Sequence, residues 1–174
     1  MQGSDADASP PFDRPAGEGS DGAGVARPVV NRHTHVAHHL TVLSNAMTSG
    51  GSRIYLEQFD IGLNEGRITA VLGHVPGMTA AELGAAMAMN KSIVSRSLWT
   101  MLDRGLIRQT GTVRARRNWL TDKGYALEAE VVAITLAREK LLLDGFSAEE
   151  KAQLLSLLQR MHGNLGKVAG FARN

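Results

Sequence analysis

The sequence predicts a mainly α-helical fold with one small β-wing, and three observations carry that prediction. Apolar residues recur at helical spacing through most of the chain beyond residue 30. Two capping-box patterns, Thr79-Ala80-Ala81-Glu82 and Ser147-Ala148-Glu149-Glu150, mark helix starts. Between Leu106 and Leu120 the pattern changes to two short β-type runs around an arginine-bearing loop. With 43% hydrophobic residues among 174, the chain has apolar material for a packed core, which excludes disorder throughout.

Residues 1–30 hold Pro10-Pro11, Pro15, Gly17, Gly19, Gly22, Gly24 and Pro28 without apolar periodicity, and read as a disordered tail. A helix is expected from Thr34 to about residue 58, on Val36, Leu40, Leu43, Met47 and Ile54, with Gly50-Gly51 interrupting and kinking it. A short helix over 64–72 stops near Gly73, ahead of Pro76. Thr79 opens the next, with Leu83 and Met87 inward. Ala88-Met89-Asn90 makes a tight turn, and a helix runs from Lys91 to Asp103, ended by Gly105. Strands follow over 106–110 and 117–120, joined by the loop 111–116. A long helix after Thr121-Asp122-Lys123-Gly124 carries Leu127, Val131, Ile134 and Leu141. A single last helix begins after Ser147 and carries Leu154, Leu157, Leu158, Met161, Leu165 and Val168.

The formal charge of +2 hides an uneven distribution. Lys91, Arg96, Arg104, Arg108, Arg114, Arg116, Arg117 and Lys123 face only Asp103 and Asp122 in their stretch, a local +6 that leaves −4 for the rest. A basic stripe on a nearly neutral chain indicates a local polyanion contact. The chain has no cysteine, which excludes thiol nucleophiles, Cys-rich zinc sites, disulfides and thiol redox sensing. No apolar run has the length of a membrane helix, and the N-terminus lacks a signal-peptide pattern, so a soluble cytoplasmic protein is expected. No phosphate-binding loop, His-Glu-x-x-His or Gly-x-Ser-x-Gly element occurs, and neither catalysis nor a cofactor is expected. His33, His35, His38 and His39 form a cluster in which His35 and His39 share a helical spacing. With no carboxylate within a turn, a solvated helix start is favoured over a metal site; a metal-responsive regulator is the alternative that the cluster keeps open.

Two short helices across a tight turn, a helix-ending glycine and a basic ribbon describe a winged helix-turn-helix. On a helical wheel of the second helix, Val94, Leu98, Met101 and Leu102 gather on the packing side. Ser92, Ser95, Arg96 and Trp99 gather on the other, with Lys91 at the start. Short hydroxyls near a helix N-terminus reach phosphate or base edges without blocking the major groove, and Arg96 pairs with phosphate or guanine. Two readings of Trp99 stand: it covers a thymine methyl or sugar, or it folds back on the wing. Arg114, Arg116 and Arg117 concentrate at the ribbon tip, and arginine suits a narrow, electronegative minor groove. A helical adaptor for protein contacts would not need such a cluster.

Over roughly residues 35–165 the sequence resembles the multiple-antibiotic-resistance regulator (MarR) family. The resemblance lies in Leu63-Asn64-Glu65-Gly66-Arg67-Ile68-Thr69-Ala70-Val71-Leu72, Thr79-Ala80-Ala81-Glu82-Leu83 and Asn90-Lys91-Ser92-Ile93-Val94-Ser95-Arg96. It continues in Leu102-Asp103-Arg104-Gly105-Leu106-Ile107 and Leu120-Thr121-Asp122-Lys123-Gly124. The wing is shorter than the family's and lacks the Asp before its arginines; Arg116-Arg117 stands in that place. The resemblance implies a domain over 31–174, with the winged helix-turn-helix over about 62–123 and dimerisation helices over about 34–58 and 124–170. It further implies a homodimer on an inverted repeat of double-stranded DNA. A repressor of this kind is released by a small effector, an aromatic carboxylate or its thioester, held between the dimerisation helices and the DNA-binding lobe. Ser44 and Arg53 on the first helix are the candidate anchors for its carboxylate. The leucine-rich last helix independently supports dimerisation, having more apolar surface than a small winged domain covers.

Overall fold

The structure, a computed structural model, describes residues 30–112 and 115–171. Those residues fall into two units, 30–40 and 41–171. The expected tail lies outside the described residues up to position 29.

In the first unit Asn31 organises a turn. Its carbonyl accepts from the Thr34 amide and its side-chain oxygen from the His33 amide at 2.9 Å. Helix α1 (Val36–Phe59) begins just beyond it. His39 Nε2 lies 3.2 Å from the His33 carbonyl, and the His38 and His39 rings meet edge to face. Among the described residues no three His, Asp or Glu groups converge as metal ligands would.

Within the second unit α1 runs on unbroken to Phe59, so the interruption expected at Gly50-Gly51 does not occur. The glycines make room instead. The Arg138 guanidinium lies where a Gly51 side chain would stand, 2.6 Å from an ideal Cβ, and its Nη2 donates to the Met47 carbonyl. Helices α2 (Leu63–His74), α3 (Ala80–Met87) and α4 (Lys91–Asp103) follow, then strands β1 (Ile107–Thr110) and β2 (Arg117–Leu120) and the long α5 (Asp122–Leu142). The single last helix that the periodicity predicts is two, α6 (Ala148–Gly163) and α7 (Leu165–Phe171). Gly163, a poor helix former, precedes the break. Asn164 caps α6, its amide donating to the Met161 carbonyl, and its side chain accepts from Lys167 at 2.8 Å.

Both capping boxes form as the sequence predicts, at Thr79 and Ser147. Thr121 caps α5 by accepting from the Gly124 amide. The core gathers around α2, whose Ile68 and Leu72 are fully buried with Leu83, Val94, Met101 and Val131. Each such side chain contributes roughly 1.5–3 kcal/mol through burial. On α4 the buried stripe is Val94, Ser97, Leu98 and Met101. Leu102 remains 41% exposed, against the wheel expectation, because Ser97 completes the i, i+3, i+4, i+7 row on the packed side.

β1 and β2 pair antiparallel, Ile107 opposite Leu120 and Thr110 opposite Arg117. A third short segment joins them. Residues 77–79, between α2 and α3, bond to β2 through Gly77 N–H to the Asn118 carbonyl and Asn118 N–H to the Met78 carbonyl. The wing is thereby anchored on the segment that leads into the helix-turn-helix.

Candidate nucleic-acid interface

Helix α4 is fixed at both ends. Asn90 caps its start, Oδ1 accepting from the Ile93 amide at 3.0 Å, after a turn in which Ala88 adopts left-handed backbone. The Ser92 hydroxyl donates to the same Oδ1, so Ser92 serves the cap and offers a ligand only its acceptor lone pairs. At the other end Leu106 N–H returns to the Met101 carbonyl and Gly105 N–H to the Leu102 carbonyl. That Schellman closure needs the positive φ of Gly105. Lys91, Ser92, Ser95, Arg96 and Trp99 all lie exposed on this rigid helix.

A groove of about 720 Å³ separates α4 from the wing. Lys91, Ser95, Trp99 and Leu102 line one side, Ala115 and Arg116 the other, and Gln109 and Asn118 also line it. The structure therefore brings Lys91, Ser95, Trp99 and Arg116 together. Arg114 lies outside the described residues. Trp99 is 67% exposed. The indole packed on the wing base is Trp119, and Trp99 lines the groove with Ala115 and Arg116 of the wing. Trp119 donates to Thr110 Oγ1 at 3.0 Å and lies beneath the Arg108 guanidinium.

The basic stripe divides by what each cation touches. Arg104 donates to the Phe59 and Asp60 carbonyls and pairs with the Asp60 carboxylate at 3.5 Å. Lys123 donates to the Arg104 carbonyl. Arg117 donates to the Gly77 carbonyl at 2.8 Å and faces Glu82 at 3.9 Å. It therefore takes part in anchoring the wing, while its side chain stays 55% exposed beside Arg116. The Glu82 carboxyl is held below its ordinary value by the Thr79 amide first, then by the Thr79 hydroxyl, with the Arg117 charge adding to both. Among the described residues, Lys91, Arg96 and Arg116 form no ion pair, and they remain as exposed positive charge.

Three consecutive β2 residues clamp the segment 77–79, and the sequence reading missed this. Arg117 bonds to Gly77, Asn118 to Met78, and the Trp119 ring lies against Gly77. Pro76-Gly77 is a turn signal in the sequence, but nothing in the local pattern tells which strand such a turn pairs with.

A second cavity of about 560 Å³ lies among α1, α2 and α5, with Met87 of α3, His162 of α6 and Leu165 of α7 also lining it. Its walls include Tyr55, Leu63, Val71, Met87 and Val131, with Arg67 and Arg138 as the cations. Tyr55 donates to Thr135 Oγ1 at 3.1 Å, since the Thr135 proton is committed to the Val131 carbonyl. Ser44 and Arg53 are exposed on α1 and do not line this cavity.

No protein-family model matches the chain. Solved structures do resemble it. A MarR/EmrR family transcriptional regulator from Acinetobacter sp. ADP1 is 26% identical with a TM-score of 0.74, over 79% of this chain and 99% of that one. The MepR–DNA complex of S. aureus is 23% identical with a TM-score of 0.67, over 78% of this chain and 99% of that one. A MarR-family regulator from Listeria monocytogenes in complex with a 26mer DNA is 16% identical with a TM-score of 0.72, over 77% and 91%. The first and third of these are transcriptional regulators, and the second and third are held on DNA.

Proposed function

From the MarR-type winged helix-turn-helix fold that this chain has, we propose that it is a sequence-specific DNA-binding transcriptional regulator that reads an inverted repeat as a homodimer. The observation that carries the reading is the pairing across one groove of the exposed face of α4 with Arg116 of the wing. Ser95, Arg96 and Trp99 meet base edges in the major groove, and Lys91 and Arg116 meet phosphates. Arg116 also suits a narrow minor groove beside the site. Fixed at both ends, α4 enters the groove as a rigid element, with little ordering left for binding to impose.

Homodimerisation is supported by α6 and α7, where Leu155, Leu157, Leu158, Met161, Leu165, Val168 and Phe171 are exposed on the single chain. Exposed large apolar residues in this number mark an interaction surface. A two-fold pair would set two recognition helices ~34 Å apart, one turn of duplex. The cavity among α1, α2 and α5 falls within the size range of small-ligand sites. Its apolar wall and two arginines suit an aromatic carboxylate or its thioester. Such an effector would release DNA by favouring a spacing of the recognition helices that the operator does not fit.

Selection of duplexes from a randomised pool tests the reading. The expected product is an inverted repeat with half-site centres about 10 base pairs apart. Its binding should weaken steeply with salt, by a log–log slope near −0.9 for each phosphate neutralised. Enrichment of no sequence, or affinity flat between ~50 and ~200 mM salt, would overturn it.

A further inference from the structure

Asn118 is 1% exposed, an amide in a position where β2 alternation calls for an apolar side chain like that of Leu120. Burying an amide without partners is costly, and here both polar atoms of the side chain have one. Oδ1 accepts from Gln109 Nε2 of the facing strand at 2.9 Å, and Nδ2 donates to the Met78 carbonyl at 2.9 Å. Its own backbone N–H and C=O bond to Met78 and Gly77. One residue thus ties both wing strands to the segment that enters α3. A well-packed apolar side chain would fill this place with no amide to desolvate, so what the amide adds is a defined geometry more than stability.

Building on the proposed function, we propose that Asn118 is the positioning residue of the wing. Its side chain, bridging Gln109 and Met78, sets the angle at which Arg116 stands across the groove from α4. Helix and wing must meet one duplex together, and a wing free to swing loses orientation on binding. The groove itself records the arrangement, since Gln109 and Asn118 line it together with Arg116 and Trp99.

The chain has no cysteine, so Ala115→Cys accepts a single bimane, a fluorophore that an indole quenches on contact, in the groove that Trp99 also lines. The share of quenching removed by Trp99→Phe reports how often the wing tip stands over α4. In the full chain, Asn118→Leu should keep the thermal midpoint and reduce that share by at least half. A share that stays the same overturns the proposal. Should Asn118→Leu fail to fold, Gln109→Leu, which leaves Asn118 in place, decides by the same criterion. A second arm uses a duplex selected by the unaltered chain. The penalty of Arg116→Ala should shrink to less than half its size in the Asn118→Leu background, and a penalty equally large in both overturns the proposal. If no duplex is selected, the DNA-binding reading fails, while the quenching arm still decides for or against Asn118.

Discussion

Trp119 lies over Gly77 so closely that an ideal Cβ at Gly77 would come within 2.7 Å of Cζ2. Gly77 also has φ +81, a conformation that other residues adopt only with strain. Both demands arise from one joint, in which the indole, pinned by Thr110 and covered by Arg108, closes the wing onto the entry to α3.

Gly77→Ala should therefore destabilise the fold by about 1–3 kcal/mol, combining backbone strain with displacement of the indole. Gly163→Ala supplies the contrast. Gly163 ends α6, has nothing within 4 Å of an added Cβ, and has no positive φ. There alanine should stabilise by a few tenths to about 1 kcal/mol. Chemical denaturation of both variants checks the pair, and equal effects at the two glycines would mean that the joint is not tightly packed.

The division among the arginines predicts three different phenotypes. Arg96→Ala should relax base preference at one position of the half-site, at a cost of about 1–3 kcal/mol. Arg116→Ala should weaken all sequences alike and lower the salt slope by about 1. Arg117→Ala should act first on stability, because it removes the donor to the Gly77 carbonyl and the partner of Glu82. Binding isotherms across salt, alongside thermal melts, separate these outcomes. An Arg117→Ala variant with unchanged melting and a lowered salt slope would return Arg117 to the DNA contacts.

Glu82 makes the start of α3 sensitive to acid. Its carboxyl titrates below its ordinary value of 4.5, so the folded state favours the ionised form. For a depressed acid the contribution is complete above the unfolded value and is lost as pH falls through the folded one. Glu82→Gln should accordingly melt below the parent at pH 7 and close that gap as pH is lowered past 4.5. A gap that stays constant down to pH 3 would show that the capping box does not depend on the charge.

The apolar face of α6 predicts the oligomeric state. Leu157 and Leu158 are 45% and 38% exposed on the single chain, and a dimer seam would cover them. Asp at either position would leave an unpaired charge in that seam, costing several kcal/mol, roughly 3–5, and should yield monomers. Those monomers should lose tight operator binding, since each offers one half-site reader. Analytical ultracentrifugation with binding measurements tests this, and a monomer of undiminished affinity would sink the two-half-site reading.

Much of this fold was legible because it is built locally. Capping boxes at Thr79 and Ser147, the turn at 88–90 and the closure at Gly105 are each written in a few adjacent residues. The exposed face of α4 followed from helical period, Leu102 excepted. What escaped was long-range. Gly50-Gly51 reads as a helix breaker until Arg138, 87 positions further along, is seen occupying the space they leave. Arg116 and Arg117 are equivalent by charge, and the Gly77 carbonyl and Glu82 separate them. Asn118 has the composition of a loop residue, and its burial depends on partners about 9 and 40 residues away.

The same long-range logic moves the effector prediction from Arg53 to Arg138. Arg53 is exposed and lies outside the cavity among α1, α2 and α5, whereas Arg138 lines it with Tyr55, Leu63 and Val131. Arg138 is also tied to the Met47 carbonyl, so a bound carboxylate would compete for the guanidinium that joins α5 to α1. An anionic aromatic ligand would thus act on the helices that hold the DNA-binding lobe, and with no cysteine in the chain the input would be reversible binding. A tenfold loss of operator affinity requires about 1.4 kcal/mol of coupling. Linkage then requires operator DNA to weaken the ligand by the same factor. Titration calorimetry of an aromatic-acid panel, with and without the selected duplex, measures both sides. Equal ligand affinity in the two titrations removes that compound as an effector. Arg138→Met should abolish the response and Arg53→Ala should leave it intact; the reverse outcome would place the carboxylate on the outer face of α1.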